Sequence, residues 1–367
     1  MSADKKRVTR QIAAGGTGRA ARVLIGGGAP VTVQSMCDTD TRDAKATLAQ
    51  IEKLYEAGCQ IIRVAVPDAG AAEALGRICA QSPLPVVADI HFDFRLALAS
   101  LKAGVSKIRI NPGNIGEASR VKAVADACKE RNVPIRIGVN SGSVSREKLA
   151  KMPLEDAMAQ SALEQLGQLE ALGFQDVCLS VKAPSVKQTL AVYRRVAALT
   201  DAPLHLGVTE TGTSFMGIVK SAVGIGALLC EGLGDTLRVS LTADPVEEVR
   251  AGIAILKACG LRREGLELIS CPTCGRCRIR VGEIANAVER ALDGVKTPVT
   301  VAVMGCAVNG PGEARAADIG LAGGDGKGVI FKKGEIVEAV SEEHMLARLL
   351  AHIKDFIKQT EVATSHG

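Results

Sequence analysis

Tryptophan is absent from the 367 residues, and two tyrosines and six phenylalanines make up the whole aromatic content. Proteins that grip single-stranded nucleic acid stack its bases on aromatic rings, so a chain this poor in them lacks the platforms. Charge of one sign is also scarce. Lys and Arg number 45 against 40 Asp and Glu, and the resulting +5 is too small to argue for a polyanionic backbone as ligand. No apolar run approaches the ~20 residues that span a bilayer. The opening "MSADKKRVTRQ" is basic but has no apolar stretch of the kind a signal peptide needs. The expectation is a soluble, cytoplasmic protein with reduced thiols and neither membrane nor nucleic acid as partner. Any anion it binds should be small and locally gripped.

What is present is apolar. At 47% hydrophobic and 23% charged, a chain of this length can bury a large core, and its length allows two domains. Eleven cysteines would point to disulfides in a short secreted chain, but most of these thiols are scattered singly among apolar neighbours. Cys59, Cys79, Cys128, Cys178 and Cys230 read as small core residues.

Eight short apolar runs begin the chain's main pattern: 31–36, 60–66, 85–92, 107–114, 134–143, 175–183, 204–210 and 236–241. Between them lie Ala/Leu-rich stretches with helical spacing, such as "TLAQIEKLYEAGC" (47–59), several of them ending in a glycine suited to a helix C-cap. Eight strands alternating with helices predict a closed (β/α)₈ TIM barrel over residues 1–260. The glycine pattern Gly16-Thr-Gly18-Arg-Ala-Ala21 resembles a dinucleotide fingerprint, yet it precedes the first strand where that motif must follow one.

Active sites of such barrels sit where the strands end. Polar residues gather there in this sequence: Arg63; Asp89 and His91; Arg109, Asn111 and Asn114; Arg136, Asn140 and Ser141; Ser180 and Lys182; Glu210; Arg238 and Ser240. Strand alternation puts Arg109 with Asn111, and Arg238 with Ser240, on one face, aimed at one lumen. Any one cation, taken alone, reads equally well as paired with the helical layer. Five cations with few acids on one rim suit a polyanionic small molecule such as a diphosphate, which Arg grips in bidentate fashion. Glu210, a carboxylate in cationic surroundings, reads either as a proton relay to a leaving oxygen or as a counter-ion.

A second unit, 265–360, holds "CPTCGRC" (271–277) and "VTVAVMGCAVNGPGE" (299–313), with a hairpin predicted over 328–340. Cys271, Cys274 and Cys306 follow predicted strands. A structural zinc site would be closed by four ligands, often two C-x₂-C knuckles, and neither 303 nor 309 is Cys or His. A [4Fe–4S] cluster accepts a C-x₂-C pair plus one distant Cys, which leaves one iron open or otherwise bound. Cys277 remains as a fourth ligand, a structural thiol or an accident.

"CPTCGR" and "GCAVNGPGE", with "VQSM", "ADIHF", "RINPGN", "IGVNSGS", "HLGVTE" and "RVSL" in order, resemble the bacterial hydroxymethylbutenyl diphosphate synthases, iron–sulfur enzymes of the methylerythritol phosphate route to isoprenoids. The resemblance covers nearly the whole chain. It implies a TIM barrel followed by a smaller α/β iron–sulfur domain related to sulfite and nitrite reductases. The implied reaction is the two-electron reductive ring opening and dehydroxylation of 2-C-methyl-D-erythritol 2,4-cyclodiphosphate to 4-hydroxy-3-methylbut-2-enyl diphosphate, fed by reduced flavodoxin or ferredoxin. Position by position, it implies Cys271, Cys274, Cys306 and Glu313 as cluster ligands and Asn309 as a substrate contact at the cluster. Arg109, Lys182, Arg238 and Ser240 would hold the diphosphate, with Arg63, Asn111, Arg136 and Asn140 at the same rim, and Glu210 would act as acid. A phospholigand-binding barrel with a purely structural metal is the rival expectation. The short "GLRREG" (260–265) after the eighth helix, together with the resemblance, predicts a head-to-tail homodimer with active sites shared between chains.

Overall fold

The computed structural model describes residues 6–16, 18–306 and 314–365. Two compact units divide the chain, Met1–Arg262 and Arg263–Gly367.

The first unit opens with an antiparallel hairpin of β1 (Gln11–Ala14) and β2 (Val23–Gly26). Eight parallel strands follow: β3 (Thr32–Met36), β4 (Ile61–Ala65), β5 (Val86–Asp89), β6 (Lys107–Ile110), β7 (Ile135–Asn140), β8 (Val177–Lys182), β9 (His205–Leu206) and β10 (Thr236–Leu237). Their order is β8-β7-β6-β5-β4-β3-β10-β9, and a parallel bridge from Leu179 in β8 to Leu204 before β9 closes the ring. All eight predicted runs are strands of one TIM-like barrel. The helices between them form for local reasons. In Ala44–Glu56, for example, the Asp43 carboxylate accepts from the Ala46 N–H at 2.9 Å, and Thr47, Ile51 and Leu54 at helical spacing are buried.

The hairpin was not predicted, and it explains the glycine pattern. Gly16 and residues 18–21 lie in the connection between β1 and β2, not between a strand and a helix. Ile12 and Ile25, paired across that hairpin, pack on Ile61, Val87 and Cys178 near the starts of β4, β5 and β8. The barrel floor is therefore an apolar plug, which leaves the opposite end of the lumen for polar groups.

In the second unit β11 (Leu266–Ser270), β12 (Val299–Met304) and β13 (Ile319–Gly323) are parallel, and β14 (Lys327–Lys332) and β15 (Glu335–Ser341) continue the sheet antiparallel. The β14–β15 turn places both Lys333 and Gly334 at positive φ, the conformation a two-residue hairpin loop demands. Helix Val281–Ala291 is the crossover from β11 to β12, and the C-terminal helix Met345–Ser365 buries Met345, Leu349 and Ile353 against the sheet's core. Among the described residues no helix is long and apolar enough to cross a membrane.

Candidate active site

The C-terminal ends of the barrel strands surround a cavity of about 220 Å³. Arg63, Arg109, Arg136, Lys182 and Arg238 line it, with Asp89, His91, Asn140, Ser180 and Ser240. Four strands supply Arg63, Arg109, Arg136 and Lys182, and Arg238 directly follows β10, so no single element could have carried the cluster. Two glycines make the room. A Cβ on Gly138 in β7 would stand 2.7 Å from Arg109 Nε, and one on Gly207 after β9 would stand 2.6 Å from Lys182 Nζ.

Two carboxylates hold part of this charge. Asp89 Oδ1 accepts from Arg109 Nη1 at 3.0 Å, while Arg63 Nε stands 3.7 Å and His91 Nε2 3.5 Å from Asp89 Oδ2. Burial alone would raise the Asp89 carboxyl, but Arg63, then His91 and Arg109, hold it well below the usual carboxylate range. Glu248 takes Arg238 in a bidentate pair, Nη2 to Oε1 at 3.1 Å and Nε to Oε2 at 3.2 Å, and also accepts from Ser35 Oγ and the Leu241 N–H. The Met36 thioether fills the space between the two groups, accepting from Arg63 Nε at 3.0 Å.

Five cations against Asp89 and Glu248 leave a surplus of positive charge. The surplus sits where water is scarce: Arg136 is 1% and Lys182 8% exposed. Burial, reinforced by Arg109, lowers the Arg136 guanidinium to about 10, and burial with Arg136 and Arg238 lowers the Lys182 ammonium well below its ordinary value. Arg136 Nε and Nη2 are buried with no hydrogen-bond partner. Donors of this kind are costly unless something accepts from them. An anion entering the cavity is the acceptor they lack.

The sequence-predicted rim residues divide. Arg63, Arg109, Arg136, Asn140, Lys182, Arg238 and Ser240 meet at the cavity. Asn111 does not line it: the strand stops at Ile110, and the Asn111 Oδ1 instead accepts from the Gly113 N–H at the cap of a short helix. Arg109 and Asn111 are therefore split where strand alternation put them together. Glu210 is exposed beside the mouth, in the left-handed region at φ 54°, a conformation that costs energy for a residue with a Cβ. Sequence reasoning missed Met36 and Glu248. Nothing in a helix-borne glutamate announces that it turns back onto a strand-end arginine.

In the second unit Cys271 follows β11 and Cys306 follows β12, neighbours in the sheet. Cys271, Cys274 and Cys306 line one cavity of about 170 Å³, with Arg276 at its edge. The Gly305 N–H donates to Cys271 Sγ at 3.1 Å, and the backbone N–H and side chain of Arg276 lower the Cys274 thiol. The lowered Cys274 favours thiolate, the form that binds metal. Among the described residues no three His, Cys, Asp or Glu are grouped closely enough to hold a single ion. Cys277 does not line that cavity: its Sγ donates to the Ile279 carbonyl at 3.0 Å and abuts Gly305. Asn309 and Glu313 lie outside the described residues.

Two family models match this chain, the GcpE TIM-barrel domain over residues 16–253 and the GcpE protein C-terminal domain over 267–355. The chain belongs to the GcpE family. Curated GcpE relatives are similar over nearly their whole length. A Geobacter sulfurreducens protein is 55% identical over 96% of this chain and 99% of its own, and one from Symbiobacterium thermophilum is 51% identical over 98% and 96%. Both are named 4-hydroxy-3-methylbut-2-en-1-yl diphosphate synthase (flavodoxin). Every cavity cation falls within the GcpE barrel match and all three thiols within the GcpE C-terminal match.

Proposed function

We propose that this chain converts 2-C-methyl-D-erythritol 2,4-cyclodiphosphate to 4-hydroxy-3-methylbut-2-enyl diphosphate, with reduced flavodoxin as electron donor. Two electrons and two protons enter and one water leaves. The observation that carries the substrate class is the pair of buried, unpartnered Arg136 N–H groups in a mouth with more cations than carboxylates. Charge-assisted donors there are preorganised for phosphate oxygens. Asp89 and Glu248 keep Arg63, Arg109 and Arg238 aimed, while Arg136 and Lys182 form no carboxylate ion pair among the described residues and face the ligand first. Glu210, at the rim, supplies a proton to the departing oxygen.

Cys271, Cys274 and Cys306, with Glu313, would hold a [4Fe–4S] cluster. Three thiols, a C-x₂-C pair and one from the neighbouring strand end, line one cavity and fit an iron–sulfur group, which takes cysteine thiolates from separate segments. Such a cluster supplies electrons singly to the substrate. The residues' own part is to present thiolate, which Arg276 favours at Cys274.

The test is anaerobic reconstitution of the full-length protein, with iron, sulfide and zinc measured on the same sample whose product is followed under reduced flavodoxin. About four irons with sulfide, and the open-chain diphosphate as product, are expected. Zinc in place of iron, with cyclic diphosphate bound but unchanged, would mean a binding barrel with a structural metal.

A further inference from the structure

Two thiols outside both sites meet on the barrel. Cys230 ends helix Ser214–Cys230, Cys259 caps helix Pro245–Ala258, and their sulfurs stand 3.8 Å apart. The sequence places Cys230 among the core residues, which the structure corrects: it is exposed, as the final residue of its helix beyond the buried Leu228 and Leu229. Cys259 is partly exposed. Cysteines kept for packing are usually buried, as Cys37, Cys59 and Cys128 are, where burial pushes the thiol up to about 12 and makes it inert. The 230–259 pair is accessible and in van der Waals contact. Closing 3.8 Å to a bond of ~2.05 Å is within reach of side-chain rotation.

We propose that Cys230 and Cys259 form a reversible dithiol–disulfide site that takes low-molecular-weight disulfides, glutathione disulfide being the probe. Exposed Cys230, as thiolate, attacks one sulfur of glutathione disulfide; that S–S bond breaks, and one glutathione leaves and takes a proton. Cys259 then loses its proton and attacks the Cys230 sulfur of the mixed disulfide, expelling the second glutathione. The two protein thiols give up two electrons and two protons, and glutathione disulfide becomes two thiols. The order of attack follows from the surroundings: burial, then the neighbouring Cys230, push Cys259 up to about 11, which suits the second step and not the first. The bond would tie together two neighbouring helix ends, one of which leads into segment 260–265 joining the units.

The experiment equilibrates full-length protein, kept anaerobic, with glutathione buffers of increasing oxidised fraction, then alkylates, digests and weighs the peptides. The expected major product in oxidising buffer is a linked pair holding Cys230 and Cys259, two hydrogens lighter than the separate thiol peptides and lost on dithiothreitol treatment. In Cys259→Ser, Cys230 should stop as the glutathione adduct; in Cys230→Ser, Cys259 should stay reduced. Wild-type protein that keeps both thiols reduced in the most oxidising buffer overturns the proposal. So does a stable glutathione adduct on Cys230 beside a free Cys259. Either result would leave the contact as simple helix packing.

Discussion

Arg136 concentrates the conflict between folding and binding that the barrel mouth presents. Its guanidinium is buried, two of its N–H groups lack partners, and its neighbours are cations, so the ligand-free fold bears it at a cost. Arg136→Met keeps the volume and removes the charge. Unliganded protein should then melt no lower, and is expected to gain on the order of 1–4 kcal/mol by denaturant titration. Substrate affinity should fall roughly ten- to a hundred-fold by calorimetry, the worth of one or two charge-assisted contacts. Equal loss of stability and affinity would mean that Arg136 serves the fold. Lys107, fully buried in the lumen with its Nζ unpartnered, makes a pH prediction. Burial lowers it from 10.5 to about 8. Between pH 8 and 10.5 the unfolded chain holds a proton that the native chain has lost, so unfolding free energy rises with pH across that window, by about 3 kcal/mol in all. Below pH 8 both states are protonated and the penalty is constant. Wild type compared with Lys107→Met over pH 7 to 10.5 should show the gap closing as pH rises, and a pH-independent gap would contradict the burial argument. The charge of these residues was legible in the sequence, since an Arg or Lys at a strand end is visible as text. Their state was not, because partners such as Glu248 and Met36 come from other elements, 10 to 202 residues away in the chain.

Elements were legible where period and length agreed. All eight runs became barrel strands, because each is a short apolar stretch flanked by helices with buried faces of their own. Hairpin β1–β2 was illegible, since "QIAA" and "VLIG" are four residues each and the glycines between them mimic another motif. Its role is apolar. Ile25→Ala should cost ~2–5 kcal/mol of stability and leave substrate affinity unchanged, which denaturation and calorimetry on one sample would show. Gly207 is the opposite case, a residue without a side chain that fixes function. A methyl there meets Lys182 Nζ at 2.6 Å and the Arg238 carbonyl at 2.9 Å, so Gly207→Ala must displace the lysine tip or the strand end. Expected is a rise in KM of about tenfold or more with iron content intact. Normal KM would show that Lys182 adapts freely. Glycine inside a predicted strand was the available signal, and it reads correctly as a place where another group comes close.

At the scale of the whole molecule, we propose that a working site takes residues from two copies. In a (β/α)₈ barrel the active-site mouth lies at the C-terminal ends of the strands, and each helix returns the chain to the other end. Helix Pro245–Ala258, 14 residues long, descends ~21 Å at 1.5 Å per residue. From its end only residues 259–265 precede β11, and seven extended residues reach at most ~25 Å. A two-fold pair in which each second unit serves the partner's barrel avoids the return altogether, and we propose that arrangement for this chain. Complementation tests it. Glu210→Gln damages the barrel and Cys271→Ser the thiol site, and each variant alone should be inactive. Dissociated, mixed and reassociated, they should recover activity if sites are shared. A heterodimer then holds one site built from the intact barrel of the Cys271→Ser chain and the intact thiols of the Glu210→Gln chain. Random pairing makes half the dimers mixed, each with one good site of two, so recovery should approach a quarter of the wild-type rate, a proportion that follows from two-fold closure. Native mass spectrometry on the mixture counts the heterodimers. Heterodimers present in that proportion without activity would confine each site to a single chain.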